Sequence, residues 1–142
     1  MNANTRRLLR SIAAVLLDPA NHGHPNIPQV VRFRTRFDAN GSGVDHIGGE
    51  WFDPGDSKAP LAAGTARMIG RLPVHAERLS NGRVPDIDEL LIELIEDHLD
   101  HRHPEWTSGE GSYGLISIRL HPQPRISGHV TRRFIATKTY KV

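Results

Sequence analysis

His103-Pro-Glu-Trp-Thr-Ser-Gly-Glu-Gly-Ser-Tyr-Gly-Leu-Ile-Ser-Ile118 joins two different periodicities. Ahead of it, Ile87, Leu90, Leu91, Leu94, Ile95 and Leu99 recur in steps of three and four, the apolar stripe of an amphipathic helix. Pro104 has no amide proton to continue that helix, so the chain must stop and turn. Gly109, Gly111 and Gly114 supply the turn. Beyond them Ile116, Ile118 and Leu120 alternate with Leu115, Ser117 and Arg119, the period-two pattern of a strand with one buried face. A helix that breaks on proline and re-emerges as an alternating strand makes this half of the chain α+β.

Working outward, Pro85-Asp86 opens the helix, with Asp86 or Asp88 available as the cap and Glu89 three residues after Asp86. Asp88, Glu89, Glu93, Glu96, Asp97 and Asp100 cover its other faces, and His101, Arg102 and His103 occupy the last turn, where cations suit the helix dipole. Pro122-Gln-Pro124 leads into a last strand over about 125–140, with Ile126, Val130, Phe134 and Ala136 set against Arg133 and Ile135. Upstream, residues 29–37 alternate Val31, Phe33, Thr35 and Phe37 with Arg32, Arg34 and Arg36. A turn over 38–43 joins this strand to a partner over 44–52, loosened by Gly48-Gly49. Leu8, Leu9, Ile12, Val15 and Leu16 predict a first helix over 5–17, stopped by Pro19 and packed on the domain rather than serving as a signal peptide. Residues 21–28 and 53–64 read as loops, and 65–79 fits either a third strand near 66–72 or an irregular crossing. The expected architecture is one α+β domain over 1–142, a mostly antiparallel sheet with two helices on one face, in the order α-β-β-(β)-α-β-β.

The chain has 142 residues, 37% hydrophobic and 24% charged, enough for one buried core and too few for two. It has no cysteine, which excludes disulfides and thiolate chemistry and suits a cytoplasmic protein. No apolar run approaches the roughly 20 residues of a membrane span. Net charge is only +2, yet it is segregated: +4 over residues 1–83, −6 over 84–103 and +4 over 104–142. Block charge of this kind speaks to partners rather than to fold.

Two charged surfaces therefore stand out as partner-binding candidates. Arg32, Arg34 and Arg36 project from one side of one strand, and Arg119 and Arg133 join them if the strands are neighbours. Such a face attracts phosphates or an acidic protein, although aromatic residues for base stacking are few. Glu89, Glu93, Glu96, Asp97 and Asp100 form the second surface, an acidic helix face able to imitate a phosphate backbone in a basic groove. The ordinary reading of both is a solvated surface. His98 and His101 share a helical face beside carboxylates, and His22, His24, His121 and His129 add to a histidine-rich surface. Their spacing matches no zinc motif, so no metal or other cofactor is expected. Gly41-Ser-Gly43 and Gly109-Glu-Gly111 lack the Lys-Ser/Thr and the following helix of a phosphate loop. No Gly-x-Ser-x-Gly elbow is present, and no catalytic residue is assigned.

Phe37-Asp-Ala-Asn-Gly-Ser-Gly-Val-Asp-His-Ile47 and His103-Pro-Glu-Trp-Thr-Ser-Gly-Glu-Gly-Ser-Tyr-Gly-Leu-Ile-Ser-Ile118 together resemble a family of small proteins from bacterial plasmids, phages and integrative elements, classed as a domain of unknown function. In that family a strand ends in an aromatic-Asp-Gly-type turn, and a helix runs into a His-Pro-Gly-Trp-like motif, a Gly-aromatic-Gly turn and an alternating strand. Glu105 stands where the family usually has glycine. The resemblance covers about residues 29–55 and 84–140, and it implies context rather than chemistry. Small mobile-element proteins of this kind inhibit or adapt host machinery, CRISPR–Cas inhibitors being one class. The expectation is a non-enzymatic, cytoplasmic protein, monomer or edge-strand dimer, that binds a host protein or ribonucleoprotein complex. The alternatives are direct nucleic-acid binding by the arginine face and a metal-dependent enzyme built on His98 and His101.

Overall fold

A computed structural model describes residues 1–17, 32–52, 59–120 and 123–134. Their elements run α1 (Ala3–Leu16), β1 (Arg32–Asn40), β2 (Gly43–Phe52), α2 (Ala63–Gly70), α3 (Ile87–Arg102), β3 (Ser112–Arg119) and β4 (Arg125–Arg132). The strands form one antiparallel sheet in the order β2-β1-β3-β4. Two hairpins thus flank a central β1–β3 pair, and the chain between the hairpins carries α2 and α3. The α+β class is as the sequence implies.

Local chemistry sets the element ends. The Asn2 side chain accepts the Thr5 amide and caps α1. Asp86 and Glu89 close a full capping box on α3, each side chain accepting the other's backbone amide. At the first hairpin Asn40 accepts from the Ser42 amide at 2.8 Å, so the turn tightens to Gly41-Ser42 and β1 runs on through Asp38 and Ala39. Gly48 is the extra residue of a bulge, because Thr35 pairs with Gly49 while Arg36 pairs with Ile47. Its φ of 63° lies in the left-handed region, where glycine is favoured. A Cβ on Gly49 would meet the Phe33 ring at 2.6 Å. The Gly48-Gly49 pair therefore bends the strand and admits an aromatic ring.

Two expectations are corrected. The segment that fitted a third strand is instead the short helix α2, in which Ala66 and Ile69 reach the core one helical step apart. After α2, Leu72 and Val74 are buried, and Pro73 forms an isolated antiparallel bridge with Asp86. The last strand ends at Arg132 rather than near residue 140, and Phe134 is 80% exposed. The reason is its partner: β3 begins at Ser112, opposite Arg132, and the preceding glycine turn offers no strand to pair with Phe134. The remaining expectations for that strand, the 21–28 loop and residues 53–58 lie outside the described residues, as do His22, His24 and His121.

The core lies on one side of the sheet. Leu8, Leu9, Ile12, Val15 and Leu16 of α1 and Leu90, Leu91, Leu94, Ile95 and Leu99 of α3 pack with Phe33, Phe37, Trp51, Ile116 and Ile118 in one cluster. Phe33 and Trp51 pack with their rings tilted by 48° and centroids 4.6 Å apart, and Trp106 meets Phe37 edge-on at 5.6 Å. Trp106 is 2% exposed, and its indole N–H donates to Asp100 at 2.7 Å. The His-Pro-Glu-Trp stretch is thus a structural plug that fastens the end of α3 to β1. No helix among the described residues is long and apolar enough to cross a membrane.

Candidate nucleic-acid interface

With α1 and α3 on one face, the other side of the sheet carries no helix among the described residues. Directly opposed residues share a face. Alternation within β1 and register across the sheet therefore put Arg32, Arg34, Arg36 and Asp38 of β1 beside Arg119, Ser117, Leu115 and Tyr113 of β3. Outside β3 come Arg125, Ser127, His129 and Thr131 of β4. Outside β1 come Phe52, Glu50, Ile47 and Asp45 of β2. Arg133, one residue past β4, reaches the same side through Asp38 and Tyr113. All five arginines singled out from sequence therefore share one face.

They are not equivalent. Arg133 donates two hydrogen bonds to Asp38, at 2.9 and 2.8 Å, and stacks 4.9 Å from the Tyr113 ring centroid. The Arg133 guanidinium holds the Asp38 carboxyl below the usual carboxylate range. Arg34 pairs with Glu50 at 2.9 Å. Arg32 and Arg34 lie over the Phe52 ring, 4.1 and 5.1 Å from its centroid. Phe52 is 1% exposed yet stands outside the main core, a ring roofed by guanidiniums on the open face. Arg36, Arg119 and Arg125 have no hydrogen-bond or ion-pair partner among the described residues and are exposed.

Register produces one further arrangement. Arg32 opposes Arg119, and Arg119 opposes Arg125, so three guanidiniums stand in one row across three strands. Like charges directly opposite each other destabilise a sheet, by on the order of a few tenths of a kcal/mol per pair. Beside the row lies a cleft of about 740 Å³ lined by these arginines with Ser117, Gln123, Pro124 and Ser127. A smaller hollow of about 250 Å³ sits by Arg34, Arg36, Glu50 and Leu115 at the bulge. Arg125 and Phe52 were not among the residues singled out from sequence. Arg125 was within reach: a hairpin turning on Pro122-Gln-Pro124 sets it opposite Arg119. The burial of Phe52 beneath arginines leaves no signal in a linear pattern.

The acidic helix is arranged differently. Glu89 bonds to Arg83 and caps α3. Glu96 lies 3.1 Å from His46 Nε2. Asp97 accepts the Thr5 hydroxyl at 2.5 Å, which leads the causes holding its pKa down. Asp100 accepts the Trp106 N–H. Of the five acids singled out there, Glu93 alone has no partner among the described residues. His98 is half-buried, and that burial lowers its pKa from near 6.5. Among the described residues no three His, Asp or Glu side chains gather as metal ligands would.

No family model, no curated protein and no solved structure matches this chain.

Proposed function

We propose that this chain is a non-enzymatic binding protein whose arginine-bearing sheet face engages the nucleic acid of a host nucleoprotein complex. One observation carries the reading: a sheet face clear of described helices, on which Arg36, Arg119 and Arg125 have no described partner. Unpaired guanidiniums in a plane suit a polyanion, since each donates a rigid fork of N–H groups to phosphate oxygens. The acidic helix supports an inhibitor's docking surface less well, because four of its five candidate acids bond within the molecule. The resemblance to mobile-element proteins makes host defence complexes, CRISPR–Cas effectors among them, the first to assay.

The test is fluorescence anisotropy of a labelled single-stranded oligonucleotide across a salt series. Affinity is expected to fall linearly with log salt, with a slope of about −0.7 per phosphate contacted. Arg36→Ala should lower the magnitude of that slope by about one contact. Absence of binding, or binding insensitive to salt, overturns the reading.

A further inference from the structure

We infer that Tyr113 is a nucleobase platform on the arginine face, and that with Arg36 beside it the face takes single-stranded rather than duplex nucleic acid. The inference rests on the function proposed above and narrows it to one class of ligand.

Tyr113 lies opposite Asp38 in the β1–β3 register, so its ring stands on the open side of the sheet, and the residue is 44% exposed. The Arg133 guanidinium covers one face of the ring, 4.9 Å from its centroid, and is itself fixed by two hydrogen bonds to Asp38. The ring is braced before any ligand arrives, which lowers the ordering cost of stacking a base on it. Asp38 matches the charge of Arg133, so this pair positions the ring rather than binding phosphate.

Arg36 supplies the charge. It opposes Leu115, two residues along β3 from Tyr113, and has no described partner. Such a diagonal pair lies about 7–8 Å apart, within the span of one nucleotide from base to phosphate. On its other side Arg36 opposes Ile47, which is 55% exposed. Ile47 and Leu115 wall a hollow of about 250 Å³ beside Arg36, and the carboxylate in that hollow, Glu50, is held by Arg34. An aromatic ring, apolar walls and an unpartnered guanidinium thus sit together, and phosphates alone would use none of the apolar surface. A duplex turns its phosphates outward and keeps its base faces stacked inside, so a sheet laid on it meets the backbone. A single strand can turn a base onto the ring while its phosphate meets Arg36.

The experiment uses the full chain and labelled probes of equal length: a single strand, a wholly abasic strand and a duplex. The abasic strand keeps every phosphate and loses every base. The single strand is expected to bind about tenfold tighter than the abasic strand, the size of one base–aromatic stack. It should also bind tighter than the duplex, whereas charge alone would favour the duplex with its denser phosphates. Tyr113→Ala should close the gap between single and abasic strands, and Tyr113→Phe should keep it, because only the ring is needed. Arg36→Ala should weaken both strands by the same factor. Equal binding of the single and abasic strands, or of the single strand and the duplex, overturns the inference and leaves the proposed function standing. A gap that survives Tyr113→Ala, in a variant that folds by circular dichroism, overturns it too. The abasic comparison is made on the unaltered chain, so it decides even where that variant fails to fold. If no probe binds, the inference and the proposed function fall together.

Discussion

The helix α3 and the outer face of the sheet are both dense in charge, yet their charges do different work. On α3, Glu89 caps the helix and holds Arg83, Glu96 meets His46, Asp97 receives the Thr5 hydroxyl, and Asp100 anchors Trp106. Each bond ties the helix to another part of the fold or to its own first turn. On the sheet, Arg32, Arg119 and Arg125 are set side by side with like charge opposite like. The comparison teaches that charge density alone does not distinguish charges spent on the fold from charges left over: Arg119 and Arg125 have no described partner, whereas four of the five acids do. It also separates two kinds of substitution, those that should loosen the molecule and those that should change only what it binds.

The largest expected effect is on the helix side. Trp106→Ala empties a buried site against Phe37 and should destabilise the protein by about 3–5 kcal/mol, read from urea unfolding. Asp100→Ala removes the acceptor of the buried indole N–H and should cost about 1–2 kcal/mol, with oligonucleotide affinity per folded molecule unchanged. A binding loss there would erase the distinction between the two regions. On the sheet the signs reverse. Arg119→Ala should weaken oligonucleotide binding while raising stability by a few tenths of a kcal/mol, because it relieves two like-charge oppositions. A drop in melting temperature would show that the row is structural.

Acid titration sharpens the contrast further. Burial leads the causes that lower the His98 pKa, so between the native value and about 6.5 the unfolded chain binds more protons than the native one. Stability should be fully present above pH 6.5 and decline as pH falls through that window. His98→Gln should abolish this decline in unfolding measurements made over the same range. Asp97 is also depressed, and its contribution is lost only at lower pH, below about 3.8. The smallest effect is expected at Glu93. Glu93→Lys should shift stability by no more than about 0.5 kcal/mol, as for a solvated surface position, and spare the binding of an intact nucleoprotein target. Loss of that binding would return the acidic helix to the interface.

Both amphipathic helices, the alternation of β1 and β3 and the capping box at Asp86 were legible in the sequence, because they depend on neighbours within a few residues. The segment over 63–70 was not, since an eight-residue helix holds too few apolar positions to separate a period of 3.6 from a period of 2. The end of β4 was also hidden, because a strand stops where its partner stops. The same division applies to the charged surfaces. Sequence by itself placed Arg32, Arg34 and Arg36 on one side of one strand and the acids along one helix. Only the tertiary structure decided which charges stay unmatched. Pairing across strands and between helix and loop is set by contacts far apart in the chain: Thr5 with Asp97 and Asp38 with Arg133 are matched, while Arg119 and Arg125 meet across β3 and β4 with no described partner.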